Sequence, residues 1–228
     1  MKNFKTKIAI LAISFVSFLG IQTASALEGL SVGISANYSA FMGTGKEVLT
    51  GSGGDTTKEA ITEEDGIFDT TVGSIFVEYG LSDAVALGVE RVIEDMQTPT
   101  NTNTQHTSDA DQTNLTNTVK ADFKDHTTIY ANINMPFNTY LKLGYAMVDV
   151  ATGETLATGG AYPDVDTTGL TVGLGYQHTA DNGIFIRAEL SASEYDNISA
   201  VNTNDSAKTI SVSDMYGASA SIKLGKAF

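Results

Sequence analysis

ISVSDMYGASASIKLGKAF, residues 210–228, decides the architecture of this chain. Ile210, Val212, Tyr216, Ala218, Ala220, Ile222, Leu224 and Phe228 share one parity; Ser211, Ser213, Gly217, Ser219, Ser221, Lys223 and Gly225 share the other. A period of two, with one greasy face and one small polar face, describes a β-strand lying between two different solvents. The charge falls on the face that carries the Gly and Ser, so the polar side is crowded and the apolar side open. That is the reverse of a soluble barrel, and it suits a strand with lipid outside and a polar lumen inside.

The same parity recurs upstream in seven more segments. They are anchored by Leu30 to Ala40, Ile75 to Leu81, Val85 to Val89, Ile129 to Met135, Leu141 to Met147, Leu170 to Tyr176, and Ile184 to Ala192. Each can supply the ~9–11 residues of a tilted spanning strand. Turn chemistry marks short connections at Ser82-Asp83, at Pro136 to Thr139 and at Asp181-Asn182-Gly183. Long connections are expected over about 43–66, 93–126, 151–166 and 196–209. The Thr- and Asn-rich stretch from Thr98 to Thr118 is open to two readings, an extension of its flanking strands or a further hairpin. Short turns on one side and long loops on the other place both termini in the periplasm.

Residues 1–26 are expected to be a cleaved secretory signal peptide. Lys2, Lys5 and Lys7 form a positive region, Ile8 to Ile21 a short apolar stretch, and Ala24-Ser25-Ala26 a small-residue cleavage site. The predicted domain is then 27–228. No later segment reads as a membrane helix, so membrane residence requires strands closed into a barrel. The chain contains no Cys, which removes disulfides and thiolate metal sites. Three of its thirteen Lys and Arg lie in the signal, leaving 10 basic against 27 acidic residues, a formal charge of −17. Such a balance argues against nucleic acid and anionic membrane surfaces as partners.

The signal, the eight patterned segments and the terminal Lys223-Leu224-Gly225-Lys226-Ala227-Phe228 resemble the small eight-stranded outer-membrane barrels, the OmpX/opacity/OmpW-like grouping. The resemblance covers the whole of 27–228. It implies an all-β, transmembrane up-and-down antiparallel β-barrel of eight strands in the bacterial outer membrane. It also implies contact with outer-membrane lipid and glycolipid, and with the barrel-assembly machinery, for which Phe228 matches the terminal signal. Lys226 stands where the grouping usually has an aromatic, and a Lys at an interface can snorkel. The resemblance brings no catalytic motif and no cofactor.

The sharpest chemical pattern is a set of ionisable residues on the inward parity: Glu78, Glu90, Lys142, Arg187, Glu189 and Lys223. Each lies at a similar distance from the nearest short turn or from Phe228. Facing lipid near the midplane, the Lys and Arg would each cost ~2–4 kcal/mol; facing inward they can pair. Since an eight-stranded interior is about wide enough for side chains to fill, the set reads as a lumenal charge network that plugs the bore. The rival is a charged constriction in a narrow, porin-like channel for small solutes.

Other features are weaker. Tyr79, Phe137, Tyr140, Tyr176 and Phe228 are expected in a periplasmic aromatic girdle, and Tyr38, Phe41, Phe68 and Tyr216 in an outer one. Phe76 and Phe185 have inward parity and either fill space or mark a register slip. Glu47, Asp55, Glu59, Glu63, Glu64, Asp65, Glu94, Asp95, Asp109, Asp111, Glu154, Asp164 and Asp166 are expected in the long loops. No EF-hand spacing appears among them, so no metal is assigned and they read as a solvated acidic surface. A rim hydrolase would need a set such as Asp125 and His126, with His178 at the opposite end; no complete nucleophile, base and orienter can be assembled. The expected function is a non-enzymatic, structural or surface-interaction role through acidic outer loops, with the loop ligand unknown.

Overall fold

The computed structural model describes residues 29–51, 59–106, 114–156 and 160–228. The expected signal, 1–26, and Asp55, Asp109 and Asp111 lie outside the described residues. The strands are β1 (Leu30–Thr50), β2 (Glu59–Gly80), β3 (Val85–Val92), β4 (Met96–Gln97), β5 (Asn101–His106), β6 (Asn114–Met135), β7 (Thr139–Thr155), β8 (Val165–Thr179), β9 (Ile184–Tyr195), β10 (Ile198–Val201) and β11 (Lys208–Ala227). All pairings are antiparallel and consecutive around a ring, β1-β2-β3-β6-β7-β8-β9-β11, which closes through β1 on β11. β4 and β5 continue the β3 position along β6, and β10 continues β9 along β11. Eleven segments thus occupy eight ring positions, and each patterned segment of the sequence falls in one of them.

The first and last described residues meet at the end that carries the three short turns. The Gly29 amide donates to the Phe228 carbonyl at 3.1 Å, and the Phe228 amide to that of Leu30 at 2.9 Å. The opposite end differs from expectation. Much of the sequence read as long loops is strand: β1 runs out to Thr50, β2 starts at Glu59, and β6 starts at Asn114. Glu47, Glu59, Glu63, Glu64, Asp65, Glu154 and Asp166 therefore sit on strands. Thr- and Asn-rich sequence can extend a ladder because β-branched Thr is a good strand former and a ladder is held by backbone bonds. In the Thr98–Thr118 stretch the described residues extend the neighbouring strands, with β5 laid along β6.

Inside the membrane-height ring, parity holds. Ile34, Ile75, Leu87, Ile129, Leu143, Leu174, Ile186 and Leu224 are each about half exposed, whereas Ser35, Ser74, Asn132 and Ser221 are buried. Water would not tolerate so complete an apolar belt; hydrocarbon would.

Higher up, the faces exchange. Between Met42/Thr44 on β1 and Tyr216/Ser213 on β11 the register shifts by one, and Asp214 adopts φ 51°. A second shift sits between Lys124/Thr127 on β6, where Asp125 has φ 55°. Each is a β-bulge, an extra residue that turns every later side chain to the other face. Val212 lies directly opposite Gly45, on the inward parity of β1, so Ile210 and Val212 point into the barrel. The unbroken outward reading of 210–228 is corrected there: it holds from Tyr216 to Phe228 only. β7 makes the same change without a bulge, its apolar parity passing from Leu141, Leu143 and Tyr145 to Ala146, Val148 and Val150.

Candidate functional site in the barrel lumen

The six inward ionisable residues converge. Glu78 comes from β2, Glu90 from β3, Lys142 from β7, Arg187 and Glu189 from β9, and Lys223 from β11, and none is more than 8% exposed. Lys142 Nζ donates to Glu90 Oε2 at 2.9 Å and to Glu189 Oε1 at 3.2 Å. Lys223 Nζ lies 2.6 Å from Glu90 Oε2 and 3.2 Å from Glu189 Oε1. These four form a closed ring of alternating charge. Glu78 and Arg187 make a separate bidentate pair, with Arg187 Nη2 at 2.6 Å from Glu78 Oε2. Three acids and three bases leave no net charge in the bore.

Neutral donors satisfy the remaining carboxylate oxygens. Ser74 Oγ and Ser35 Oγ donate to Glu90 at 2.6 and 2.9 Å. The Tyr140 hydroxyl donates to Glu189 at 2.7 Å. The Tyr130 hydroxyl and Asn132 Nδ2 donate to Glu78 at 2.8 and 2.9 Å, and Arg187 Nε donates to Gln177 Oε1. This saturation matters because an unpaired buried charge costs several kcal/mol.

Four aromatic rings complete the packing, each lying over a glycine directly across the ladder. Phe76 faces Gly33, Tyr130 faces Gly88, Tyr140 faces Gly175, and Phe185 faces Gly225. A Cβ on Gly88 would come within 2.5 Å of the Tyr130 ring, and at the other three the ring occupies the space outright. Rings covering cross-strand glycines restore the side-chain contact those positions lack. The guanidinium of Arg187 lies 4.5 Å from the Phe185 ring, 5.3 Å from Tyr140 and 5.7 Å from Phe76. Lys142 Nζ lies 4.3 Å from the Tyr130 ring. Such cation–π contacts are worth about 2 kcal/mol when desolvated, against roughly 0.5–1 kcal/mol at exposed sites. Phe76 and Phe185, 6.1 Å apart, thus fill space and mark no register slip.

Above the network lies a small polar chamber of about 80 Å³, walled by Asn37, Thr128, Thr171, Ser191 and Ser219. Its upper side carries an aromatic septum. Phe41 stacks on Phe68 at 5.2 Å, Phe68 on Phe123 at 5.6 Å, and Tyr195 closes on Phe41 at 6.5 Å. Beyond the septum is a chamber of about 250 Å³, lined by Val119, Val150, Val165, Ile198, Ile210 and Val212.

These positions revise the girdles. Tyr79, Tyr176 and Phe228 are about half exposed, and Phe137 stands on its turn at 91% exposure. Tyr140 is buried in the network at 2%; at the strand end its inward parity, shared with Lys142, outweighs its position. Tyr38 and Tyr216 face outward, but Phe41 and Phe68 share the inward parity of Asn37 and Val72 and form the septum. Asp125 and His126 do not form a dyad. Asp125 pairs with Arg91, while His126 Nε2 is 3.0 Å from the Tyr195 hydroxyl. Among the described residues, no group of three or more His, Cys, Asp or Glu is placed to hold a metal.

The sequence reasoning missed the hydroxyl and amide partners, the septum and the apolar chamber. Tyr130, Ser35 and Ser74 carried the inward parity, but only the cross-strand register reveals which of them meet.

No protein-family model matches the chain, and no curated protein matches its sequence. The outer membrane protein OprG of Pseudomonas aeruginosa is similar in structure: TM-score 0.53 at 12% identity, over 88% of this chain and 97% of OprG. The fold is that of a bacterial outer-membrane β-barrel. Two further structures of outer-membrane barrels align more loosely. The Escherichia coli outer membrane protease OmpT has TM-score 0.48 at 11% identity, over 89% of this chain and 97% of its own. Neisserial surface protein A has 0.41 at 13%, over 88% and 98%. In an outer-membrane barrel the short-turn end is periplasmic and the extended end extracellular. The bulges at Asp125 and Asp214 and the septum then sit toward the outer leaflet, and the apolar chamber belongs to the extracellular extension.

Proposed function

We propose that the chain is a non-conducting outer-membrane anchor, a structural and surface-interaction protein whose extracellular extension meets its partners. The observation that carries this reading is the closed Glu90–Lys142–Glu189–Lys223 ring with the Glu78–Arg187 pair beside it. A solute in transit would have to break bonds that are all satisfied within the wall. Residues 1–26 act in this reading as the export signal and Phe228, half exposed just beyond the closing strand, as the assembly signal. The test is planar-bilayer recording on refolded protein. The expected record is silent, for the parent and for Arg187→Gln alike; conductance steps in the parent whose size changes in Lys142→Gln would overturn the plug.

A second reading, uptake of small apolar solutes, is favoured by the 250 Å³ chamber beyond the septum. It needs a sideways exit above the plug, and radiolabelled alkane flux into vesicles holding the protein tests it. No flux above protein-free vesicles would end it.

A further inference from the structure

Among the described residues, the extracellular part of the barrel is open along one seam. β2 pairs with β1 without a register shift from Leu30↔Tyr79 to Thr50↔Glu59. On its other side, β3 covers only Ser74 to Gly80, with one more bond from the Ile93 amide to the Gly73 carbonyl at 2.9 Å. The chain then leaves β2, and β4 and β5 follow β6 instead. Among the described residues, β2 from Glu59 to Val72 is paired with β1 alone. Glu59 to Ile67 are exposed at every position, on both faces.

The polarity of that edge can be read residue by residue. The Gly80 amide points toward β1, donating to Gly29 at 2.7 Å, and the Gly73 carbonyl points to the β3 side. Backbone direction alternates along an antiparallel strand, so Ile61, Glu63, Asp65, Ile67, Asp69 and Thr71 turn their N–H and C=O groups out of the free edge. Exposed edges are usually blocked by charged side chains, Lys above all, by Pro or by a bulge; between Glu59 and Gly73 β2 has no Lys, Pro or bulge, and every charge it carries is acidic, so what it repels is an acidic strand. It has Glu59, Glu63, Glu64, Asp65 and Asp69, opposed on β1 by Lys46 across from Glu63.

We propose that this edge is a β-augmentation site for an extended, basic segment of a partner protein, carrying Lys or Arg at alternate positions. Free backbone groups supply the ladder. The carboxylates of Glu59, Glu63, Asp65 and Asp69, all on one face, select the charge of the guest. A second copy of this chain is disfavoured, because antiparallel self-pairing of β2 sets acid against acid. The inference rests on the surface-interaction reading and names its partner's chemistry.

The test uses the full protein in nanodiscs and a fluorescein-labelled octapeptide of alternating Lys and Val, read by anisotropy. Saturable binding is expected, at least tenfold weaker for the same peptide N-methylated at alternate residues. Two protein variants separate the contributions. Ile67→Pro removes one edge donor while keeping every charge, at a position where proline is tolerated. Glu63→Gln/Asp65→Asn/Asp69→Asn removes charge and keeps the backbone. Each is expected to weaken binding tenfold or more; Ile61→Pro replaces the first if heat-modifiable mobility shows that it fails to fold. Absence of binding, equal binding of the N-methylated peptide, indifference to both prolines, or a protein dimer lost on Ile67→Pro would each overturn the proposal. A silent bilayer with no peptide bound removes this inference and leaves the anchor standing, whereas conductance removes the anchor whatever the peptide does.

Discussion

Removing Arg187 should expose how much of the barrel's stability is held in its lumen. Arg187→Ala deletes both guanidinium bonds to Glu78, the bond to Gln177, and contacts with three rings. It leaves a carboxylate that is 3% exposed with only the Tyr130 hydroxyl and the Asn132 amide as donors. Stranding one member of a buried pair costs about 3–5 kcal/mol. With a urea slope of about 2 kcal/mol per M, the unfolding midpoint should fall by roughly 2 M. Glu78→Gln/Arg187→Met removes both charges and keeps an acceptor for Tyr130 and Asn132, so most of the loss should return. Arg91→Ala is the surface control: its pair with Asp125 has side chains 38% and 51% exposed, and such pairs are worth ~0–1 kcal/mol. The chain has no Trp, so urea titrations are followed by far-UV circular dichroism and heat-modifiable gel mobility in detergent. A single variant that unfolds with the parent, or a double variant no better than the single, would refute the network's energetic role.

Gly175→Ala should drive the Tyr140 ring from its place and break its bond to Glu189, costing ~1–3 kcal/mol of overpacking. Gly66→Ala, whose nearest neighbour would be a backbone oxygen at 3.9 Å, should unfold with the parent; equal effects from the two would contradict the ring-over-glycine packing. Because the chain lacks Cys, Ser219→Cys is a clean reporter of the polar chamber. It should resist a bulky external thiol reagent until Phe68→Ala opens the septum, and rapid labelling with Phe68 intact would show that the stack does not seal.

Strand identity, ring size and the inward charges were legible because alternation is a property of the residues themselves: Lys223 betrays its side by sitting among Ser and Gly. What escaped depends on relations between strands. Whether Val212 faces in or out turns on a single left-handed backbone at Asp214, which no alternation records. Tyr140 was assigned to the girdle by its place near a turn, but its ring is fixed by Gly175 on the next strand. The extent of β2 was hidden for another reason. Its acids read as loop, yet a strand with one free edge has no need of apolar side chains to remain a strand when its other edge is fully laddered.

The two aspartate bulges also act as a draught mark. Below them the wall shows mostly oil to its surroundings; above them Lys120, Asp122 and Lys124 on β6 and Ser211 and Ser213 on β11 take over the outside. A hull painted in this way has one stable waterline: sinking would wet those charges with hydrocarbon, and rising would strip the belt of its lipid. The exposed edge of β2 from Glu59 to Ile67, level with the β1 bulge or beyond it, is thereby held clear of the membrane at a constant height, facing whatever passes outside the cell.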